Sequence, residues 1–249
     1  MLSRLFVAVL TLLVMSTGLF AAEKPTDALQ KAVQKGQAAI LIVTDSAAQG
    51  LDQARGVARE AAKKINGCVT VEMNRSDAAN APFVAKYGLA GAPMPLILVF
   101  AKNGAIVGGL PAAQATPEML VKSFPSAKKA EVLKAIQDGN AVLLVAASKS
   151  MKERAKVMEN CAAACNKIKG KAATVQIGLD DPAEQDFLKE LKVDPASKEP
   201  VTLVVNTQGQ LAGSFTGPVE VGKLAELAIK KGGCCGSGSK AACPLPPTK

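Results

Sequence analysis

The sequence contains one pattern twice: a proline, a run of strand-forming residues, a short turn and a second run. It occurs at residues 91–109 (GAPMPLILVFAKNGAIVGG) and at 195–213 (PASKEPVTLVVNTQGQLAG). The runs Leu96–Phe100 and Val201–Val205 predict strands that are buried on both faces. Because the residue at the mouth of a strand need not donate to the sheet, proline is tolerated there. The sequence therefore predicts two units built alike.

Each copy is expected to close with a tight hairpin. The turn falls at Asn103-Gly104 in the first copy and at Gln208-Gly209 in the second. Asn-Gly favours the positive φ angles of a two-residue type I′ turn. The return strand of the first copy then begins at Ile106.

The similarity between the halves extends beyond the hairpins. KAVQKGQAAILIV at 31–43 matches KAIQDGNAVLLVA at 134–146 nearly position for position, and the offset along the chain is 103 to 105 residues. A chain of 249 residues has room for two such domains. This organisation predicts four segments: a signal peptide at 1–22, domain 1 at 24–125, domain 2 at 127–231 and a flexible tail at 232–249.

Helix and strand patterns alternate within each unit. In the first unit they predict helices and strands at Asp27–Lys35, Ala38–Val43, Leu51–Ile65, Cys68–Met73, Asp77–Tyr87, the hairpin and Pro117–Phe124. This order, with its closing proline hairpin, resembles the thioredoxin family over about residues 25–230. The resemblance implies an α/β fold of two tandem thioredoxin-like domains. Each would have a mainly parallel central sheet, an antiparallel closing hairpin and flanking helices.

The redox motif of that family is absent from both units. Thioredoxins carry Cys-x-x-Cys at the start of the helix after the first strand, where the helix N-terminus lowers the thiol pKa. The corresponding residues here are Gln-Gly-Leu-Asp at 49–52 and Lys-Glu-Arg-Ala at 152–155. The chain also has no histidine, which excludes imidazole bases and Ser-His relays. The sequence therefore favours a role without catalysis.

With the redox motif absent, the family feature that the resemblance still implies is the groove beside each proline. Family members hold a cis proline there and bind extended peptides with the adjacent backbone. The resemblance thus implies binding residues at Met94 and Pro95 and at Glu199 and Pro200, with a protein or peptide as partner. The alternative interpretation is that each proline only shapes the edge of its sheet.

Three of the six cysteines lie within the repeats. Cys68 begins a strand and is expected to be a small buried hydrophobe. Cys161 and Cys165 lie one helical turn apart and could hold a soft metal ion or engage a partner thiol. Their counterparts in the first unit are Ala58 and Ala62, or Val57 and Ala61 in the neighbouring register, so the packing of a helix on a sheet explains them as well.

The other three cysteines, Cys234, Cys235 and Cys243, lie in the tail. The tail is rich in Gly, Ser and Pro and cannot join a core. Its thiols could bind a soft ion such as Cu(I) or exchange disulfides. A ring closed between Cys243 and one of the other two is the alternative. Nothing else in the sequence calls for a cofactor.

The first residues have the pattern of a secretory signal peptide. Arg4 precedes the apolar run Leu5–Val14, and small residues follow up to Ala22. The run is short for a bilayer span. We therefore expect an exported protein, periplasmic or extracellular, that meets a membrane only if this segment is not cleaved.

The net charge of +9 does not indicate a nucleic-acid partner. The lysines are spread along the chain, and Tyr87 is the only tyrosine that could stack on a base. Dispersed charge that keeps the protein soluble explains the composition, so no nucleic-acid partner is expected.

Overall fold

The computed structural model describes residues 24–230, which form two α/β units of the same design. Each unit contains a four-stranded sheet, in the order β2-β1-β3-β4 in domain 1 and β6-β5-β7-β8 in domain 2. Helices cover both faces of each sheet. This arrangement confirms the predicted fold class, two tandem thioredoxin-like domains.

The helices and strands of the two domains correspond one to one. Domain 1 contains α1 Pro25–Gln34, β1 Ala38–Thr44, α2 Leu51–Lys64, β2 Cys68–Asn74, α3 Ala81–Lys86, β3 Leu96–Phe100, β4 Ile106–Pro111 and α4 Pro117–Ser123. Domain 2 contains α5 Ala127–Gln137, β5 Ala141–Ala146, α6 Arg154–Lys167, β6 Ala172–Ile177, α7 Gln185–Glu190, β7 Val201–Val205, β8 Leu211–Thr216 and α8 Val221–Ile229.

The sheets are mixed, with fewer parallel pairs than the sequence suggested. β1 pairs in parallel with β2 but antiparallel with β3, and β3 pairs antiparallel with β4. Domain 2 repeats these directions. The connection from β2 to β3 contains the six-residue helix α3 and brings the chain to the end of the sheet where β2 stops. There Val43 pairs with both Met73 of β2 and Leu96 of β3, so β3 starts at that end and runs antiparallel to β1.

Strands β1 and β5 lie at the centre of their sheets and are buried along their whole length. Alternate residues of β1 point to opposite faces. Leu41 and Val43 pack with α1 and the residues around α3, whereas Ile40 and Ile42 pack with α2 and α4. Apolar side chains on both faces of one strand thus build two cores per domain.

The hairpin turn of domain 1 is longer than predicted. Gly104 has a φ of 82°, but Asn103 does not have a positive φ. The Gly104 N–H donates to the Ala101 carbonyl at 2.8 Å, and the Ala101 N–H donates to the Ala105 carbonyl at 2.8 Å. Asn103 Oδ1 accepts from the Ala105 N–H at 3.1 Å. The Asn103 side chain thus stabilises the loop, and Gly104 is the residue of the turn that adopts a positive φ. The predicted type I′ turn is therefore wrong, although Gly104 does lie at the tip.

The predicted helix over 77–87 is also shorter in the structure. Asp77 accepts from the Ala79 N–H at 2.9 Å and caps a 3₁₀ turn, Ala78–Asn80. The α-helix begins only at Ala81, with Pro82 in its first turn. A proline there has no N–H to leave unpaired, so it marks the start of a helix.

Helix α5 connects the two domains. The Asn103 side chain donates to the Ala130 carbonyl at 2.8 Å. The Gln137 side chain accepts from the Ile106 N–H at 2.9 Å and donates to the Ile106 carbonyl at 2.6 Å. Small apolar side chains fill the space between the hairpin and the helix: Ala101, Ala105, Val107, Ala130 and Leu133. α5 thus packs on domain 2 and also holds the hairpin of domain 1.

Glu184 anchors the start of α5 to domain 2. Its side chain is buried, with 2% of the residue exposed. One carboxylate oxygen accepts from the Ser126 hydroxyl, and the other accepts from the Lys128 N–H at 3.0 Å. The counterpart in domain 1 is Asn80, which is equally buried but donates to the Asn74 carbonyl within its own domain. Glu184 therefore provides a contact that the first repeat lacks.

Replacing Glu184 should loosen the start of α5. Glu184→Ala leaves the Lys128 N–H and the Ser126 hydroxyl without their acceptor, which should lower the free energy of unfolding by about 1–3 kcal/mol. Glu184→Gln should cost less, because its amide oxygen can still accept from Lys128. Hydrogen exchange of the α5 amides measures the effect, and Asn80→Ala is the matched control. Unchanged α5 exchange in Glu184→Ala would contradict the anchoring role.

Candidate functional site

The positions of the missing redox motif are the starts of α2 and α6. α2 begins at Leu51 after Gly50, and α6 begins at Arg154 after Glu153. No cysteine of residues 24–230 lies at either place. The cysteines in this range are at the start of β2 and farther along α6: Cys68, Cys161 and Cys165.

The two prolines hold similar places but differ in conformation. The Met94-Pro95 bond is cis, whereas the Glu199-Pro200 bond is trans. The Pro95 carbonyl accepts from the Ala112 N–H at 2.8 Å, and the Pro200 carbonyl accepts from the Gly217 N–H at 2.8 Å. Both prolines therefore continue the pairing of the closing hairpin.

In domain 1 an arginine fixes the loop that leads to Pro95. Arg75 Nη1 donates to three carbonyl oxygens of this loop, at 2.8 to 3.1 Å: Leu89, Ala90 and Ala92. Its Nη2 donates to Asp45 Oδ2 at 2.7 Å, and Asp45 directly follows β1. The guanidinium thus joins the end of β1 to the proline loop. In domain 2 the counterpart is Leu179, a buried residue that cannot make these bonds.

Domain 2 instead has an open cleft of about 530 Å³ beside Pro200, called here the proline cleft. Its walls are the segment between β5 and α6 and the segment before Pro200: Ser148, Ser150, Met151, Lys152, Glu153, Ser197, Lys198, Glu199 and Pro200. The Ser197 hydroxyl donates to the Glu199 carbonyl at 2.7 Å and stabilises the second wall. Of the four predicted groove residues, Glu199 and Pro200 line this cleft, whereas Met94 and Pro95 lie in domain 1.

The proline cleft is polar and carries charges of both signs. A Cβ atom at Gly217 would lie 3.5 Å from a carboxylate oxygen of Glu153 and 3.5 Å from one of Glu199. The φ of 75° at Gly217 also favours glycine. Neither carboxylate forms an ion pair with a cation of residues 24–230, and Lys152 and Lys198 are exposed on the walls. The cleft can therefore offer acceptors, hydroxyls and ammonium groups to a ligand.

The sequence did not indicate the serines of the cleft. The redox-motif positions led to Lys152 and Glu153, and the proline led to Glu199. Ser148 and Ser197 lie in the two flanking loops, for which no residue pattern was available. The serines could have been found only from their position, because both loops lie next to helices or strands that the repeat predicts.

The cysteine pair of α6 lies mostly inside domain 2. Cys161 is fully buried, and its burial raises the pKa of the thiol to about 12. The Cys165 thiol adds to that rise in pKa, and the Thr202 hydroxyl beside Cys161 opposes it. Cys165 is half-buried, with its sulfur 3.4 Å from Thr174 Oγ1. Cys161 therefore has the environment of a core residue.

Cys68, at the start of β2, is half-buried, and burial raises the pKa of its thiol to about 11. Within residues 24–230 no three side chains of the metal-binding types come together as a site.

The remaining sequence predictions fall on residues that the structure does not describe. Cys234, Cys235 and Cys243 lie outside the described residues, as do the predicted signal peptide and tail. Among residues 24–230 no helix combines the length and the apolar character needed to cross a bilayer.

Comparison with known proteins finds matches among solved structures. No family model and no curated protein matches the chain. The human ERp44 zinc-bound form matches with 9% identity over 82% of this chain and 56% of that chain, with a TM-score of 0.35. This chain thus spans a little over half the length of ERp44.

Two other matches are a pair of thioredoxin domains and a single thioredoxin. The first two thioredoxin domains of Saccharomyces cerevisiae Eps1p match with 12% identity over 84% of this chain and 97% of that chain, with a TM-score of 0.29. Oxidized thioredoxin O1 from Arabidopsis thaliana matches with 16% identity over 39% of this chain and 83% of that chain, with a TM-score of 0.31. Scores this low carry no argument, and the fold rests on strand order and connections.

The buried Cys161 thiol should make the protein less stable at alkaline pH. Because its pKa is raised from 9.0 to about 12, the folded state keeps the proton that the unfolded state loses. The stabilisation is complete below about pH 9 and is lost as the pH rises towards 12. Cys161→Ala, which installs the residue of domain 1, should reduce this loss. Urea unfolding at pH 7 and at about pH 11 measures it, and equal losses in both proteins would refute the assignment.

Proposed function

We propose that this protein is a non-catalytic binding module and that its second domain holds an extended peptide of a partner in the proline cleft. The observation that supports the proposal is the cleft itself. It lies between the start of α6 and Pro200, and none of its lining residues is a cysteine. It therefore has a place for a ligand but no thiol to react with one.

The shape and polarity of the cleft suit an extended peptide. Its volume of about 530 Å³ is within the range of ligand pockets. An extended backbone offers alternating N–H and C=O groups along its length. The hydroxyls of Ser148 and Ser150, 3.2 Å apart, can donate or accept, and the carboxylates of Glu153 and Glu199 can accept. Such a lining can form hydrogen bonds with the backbone of a peptide whatever the peptide's sequence.

Domain 1 has a supporting role in this proposal. Arg75 ties the proline loop to Asp45 and to three backbone carbonyls, so those carbonyls already have donors. The hairpin of domain 1 is also engaged, because Gln137 of α5 bonds to both backbone groups of Ile106. These contacts favour domain 1 as the scaffold and domain 2 as the binding domain.

Export is part of the proposal, since residues 1–22 have the pattern of a signal peptide. The partner would then be a protein of the periplasm or the extracellular space, and binding would need no cofactor. The competing interpretation is thiol exchange or Cu(I) binding at Cys234, Cys235 and Cys243.

Filling the cleft should block binding. A binder is first selected with the full mature chain from a random library of ten-residue peptides, and its Kd is measured by fluorescence anisotropy. Ser150→Trp places an indole in the cleft and should weaken binding at least about tenfold, roughly 1.4 kcal/mol. Ala47→Trp, the matching exposed position of domain 1, should leave the Kd unchanged. Equal effects of the two variants would refute the assignment to domain 2.

Removing the tail thiols separates the two interpretations. Replacing Cys234, Cys235 and Cys243 with Ser should leave the Kd of the selected peptide unchanged, because the cleft contains none of these residues. The peptide is synthesised without cysteine, and Cu(I) binding is measured in parallel. Loss of peptide binding together with Cu(I) binding in the triple variant would favour the tail as the functional site.

A further inference from the structure

Domain 2 contains a second cavity, of about 470 Å³, called here the arginine cavity. It is lined by residues from α5, the segment after β5, the start of α6, β6 and the segment after β6: Lys128, Ala147, Lys149, Arg154, Gln176, Gly178, Asp180, Asp181 and Pro182. It shares no lining residue with the proline cleft. In the segment after β5, Ala147 and Lys149 line the arginine cavity, whereas Ser148 and Ser150 line the proline cleft. The two sites are therefore separate.

Arg154 in this cavity lacks a counter-charge. Its Nη2 donates to the neutral Gln176 side chain at 3.2 Å, and its enclosed Nε has no acceptor among residues 24–230. In the same range no carboxylate lies within 4.0 Å of its guanidinium nitrogens. A partly buried cation without a nearby anion is unfavourable, because it has lost water without gaining a partner. Because the Nε is enclosed, a ligand with a negative group would pair with the guanidinium at its Nη nitrogens.

The same region of domain 1 has its own carboxylate. Gln176 corresponds to Glu72, which accepts two hydrogen bonds from Arg55, each of 2.8 Å. Both residues lie at the same position of their strands, since Glu72 pairs with Ile42 and Gln176 pairs with Val145. The second repeat has therefore replaced an acid by an amide next to an arginine.

The second repeat also adds cations around this amide. The first strand and the following helix start at the same spacing in the two domains, at Ala38 and Leu51 in domain 1 and at Ala141 and Arg154 in domain 2. Position by position, Arg154 takes the place of Leu51 and Lys149 takes the place of Ser46. Lys149 is exposed and has no ion pair with a carboxylate of residues 24–230. Two exchanges act in the opposite direction, because Met158 takes the place of Arg55 and Asp180 takes the place of Ser76. The cations that favour an anion in this cavity are therefore Arg154 and Lys149.

We propose that the arginine cavity binds the carboxylate group of a small ligand between Arg154 and Lys149. The planar guanidinium presents paired N–H groups that match the two oxygens of a carboxylate. Asp180 and Asp181 are exposed at the same cavity, and Asp181 already accepts from the Ala183 N–H at 3.0 Å. Their charges repel a dianion more strongly than a monoanion. The site therefore favours a carboxylate over inorganic phosphate.

Titration of the full mature chain with acetate, at constant ionic strength, tests this proposal. We expect saturable changes in the NMR signals of the Arg154 Nε–H and the Gly178 amide. Arg154→Gln should weaken acetate binding at least about tenfold, because the bidentate partner is lost. Lys149→Ser, which installs the residue of domain 1, should weaken it less and is the variant to use if Arg154→Gln fails to fold. Arg59→Gln, an exposed arginine of α2, is the matched control and should have no effect.

Gln176→Glu provides the sharpest variant, because it gives Arg154 the carboxylate that Arg55 has in domain 1. It should abolish acetate binding while leaving the Kd of the peptide in the proline cleft unchanged. Linear, unsaturable shifts with acetate would overturn the proposal, as would equal binding by Arg154→Gln. Tighter binding of inorganic phosphate than of acetate would overturn the ligand class. None of these outcomes bears on peptide binding, so the two proposals fail separately.

Discussion

The arrangement of this chain depends on how α5 is held. Its start is fixed to domain 2 by the buried Glu184 carboxylate, and its end is fixed to domain 1 by the Gln137 side chain. The Glu184 contact is buried, where an unmade bond is costly, and the Gln137 contact is an exposed pair of hydrogen bonds. Movement of α5 would therefore break contacts in both domains together. The helix that opens the second repeat thus also joins the two repeats.

The faces that meet at this junction differ in polarity from the corresponding faces of the other repeat. At the junction, Ala130 and Leu133 of α5 meet the apolar hairpin residues Ala101 and Ala105. The corresponding positions of the other repeat are polar: Asp27 and Gln30 on α1, and Asn206 and Gln210 on the hairpin of domain 2. The Asn206 side chain instead donates to the Lys230 carbonyl at 2.9 Å. The apolar face of α5 therefore fits the hairpin of domain 1, whereas α1 and the hairpin of domain 2 lack the apolar residues of this contact.

The sequence predicted the scaffold better than the sites, and the reason is physical. Short apolar runs such as Ala38–Val43 and Leu96–Phe100 have few alternatives to a buried strand. The strand positions therefore followed from these runs alone. The turn at Asn103 was mispredicted because its side chain, not its backbone, completes the loop. Glu184 and Arg154 could not be identified, since a charged residue in sequence gives no sign of burial or of an absent partner. Such properties arise only from tertiary contacts.

The two domains share a backbone plan but differ in where their polar groups are engaged. In domain 1, Arg75 is bound to Asp45 and Arg55 to Glu72, so the charges near the strand ends neutralise one another. In domain 2 the corresponding positions hold Leu179 and Gln176, and Arg154 has no carboxylate of residues 24–230 beside it. Internal ion pairs use up groups that a ligand could otherwise contact. The two repeats thus differ at these positions: domain 1 pairs Arg75 and Arg55 with carboxylates, whereas Arg154 of domain 2 donates to the neutral Gln176.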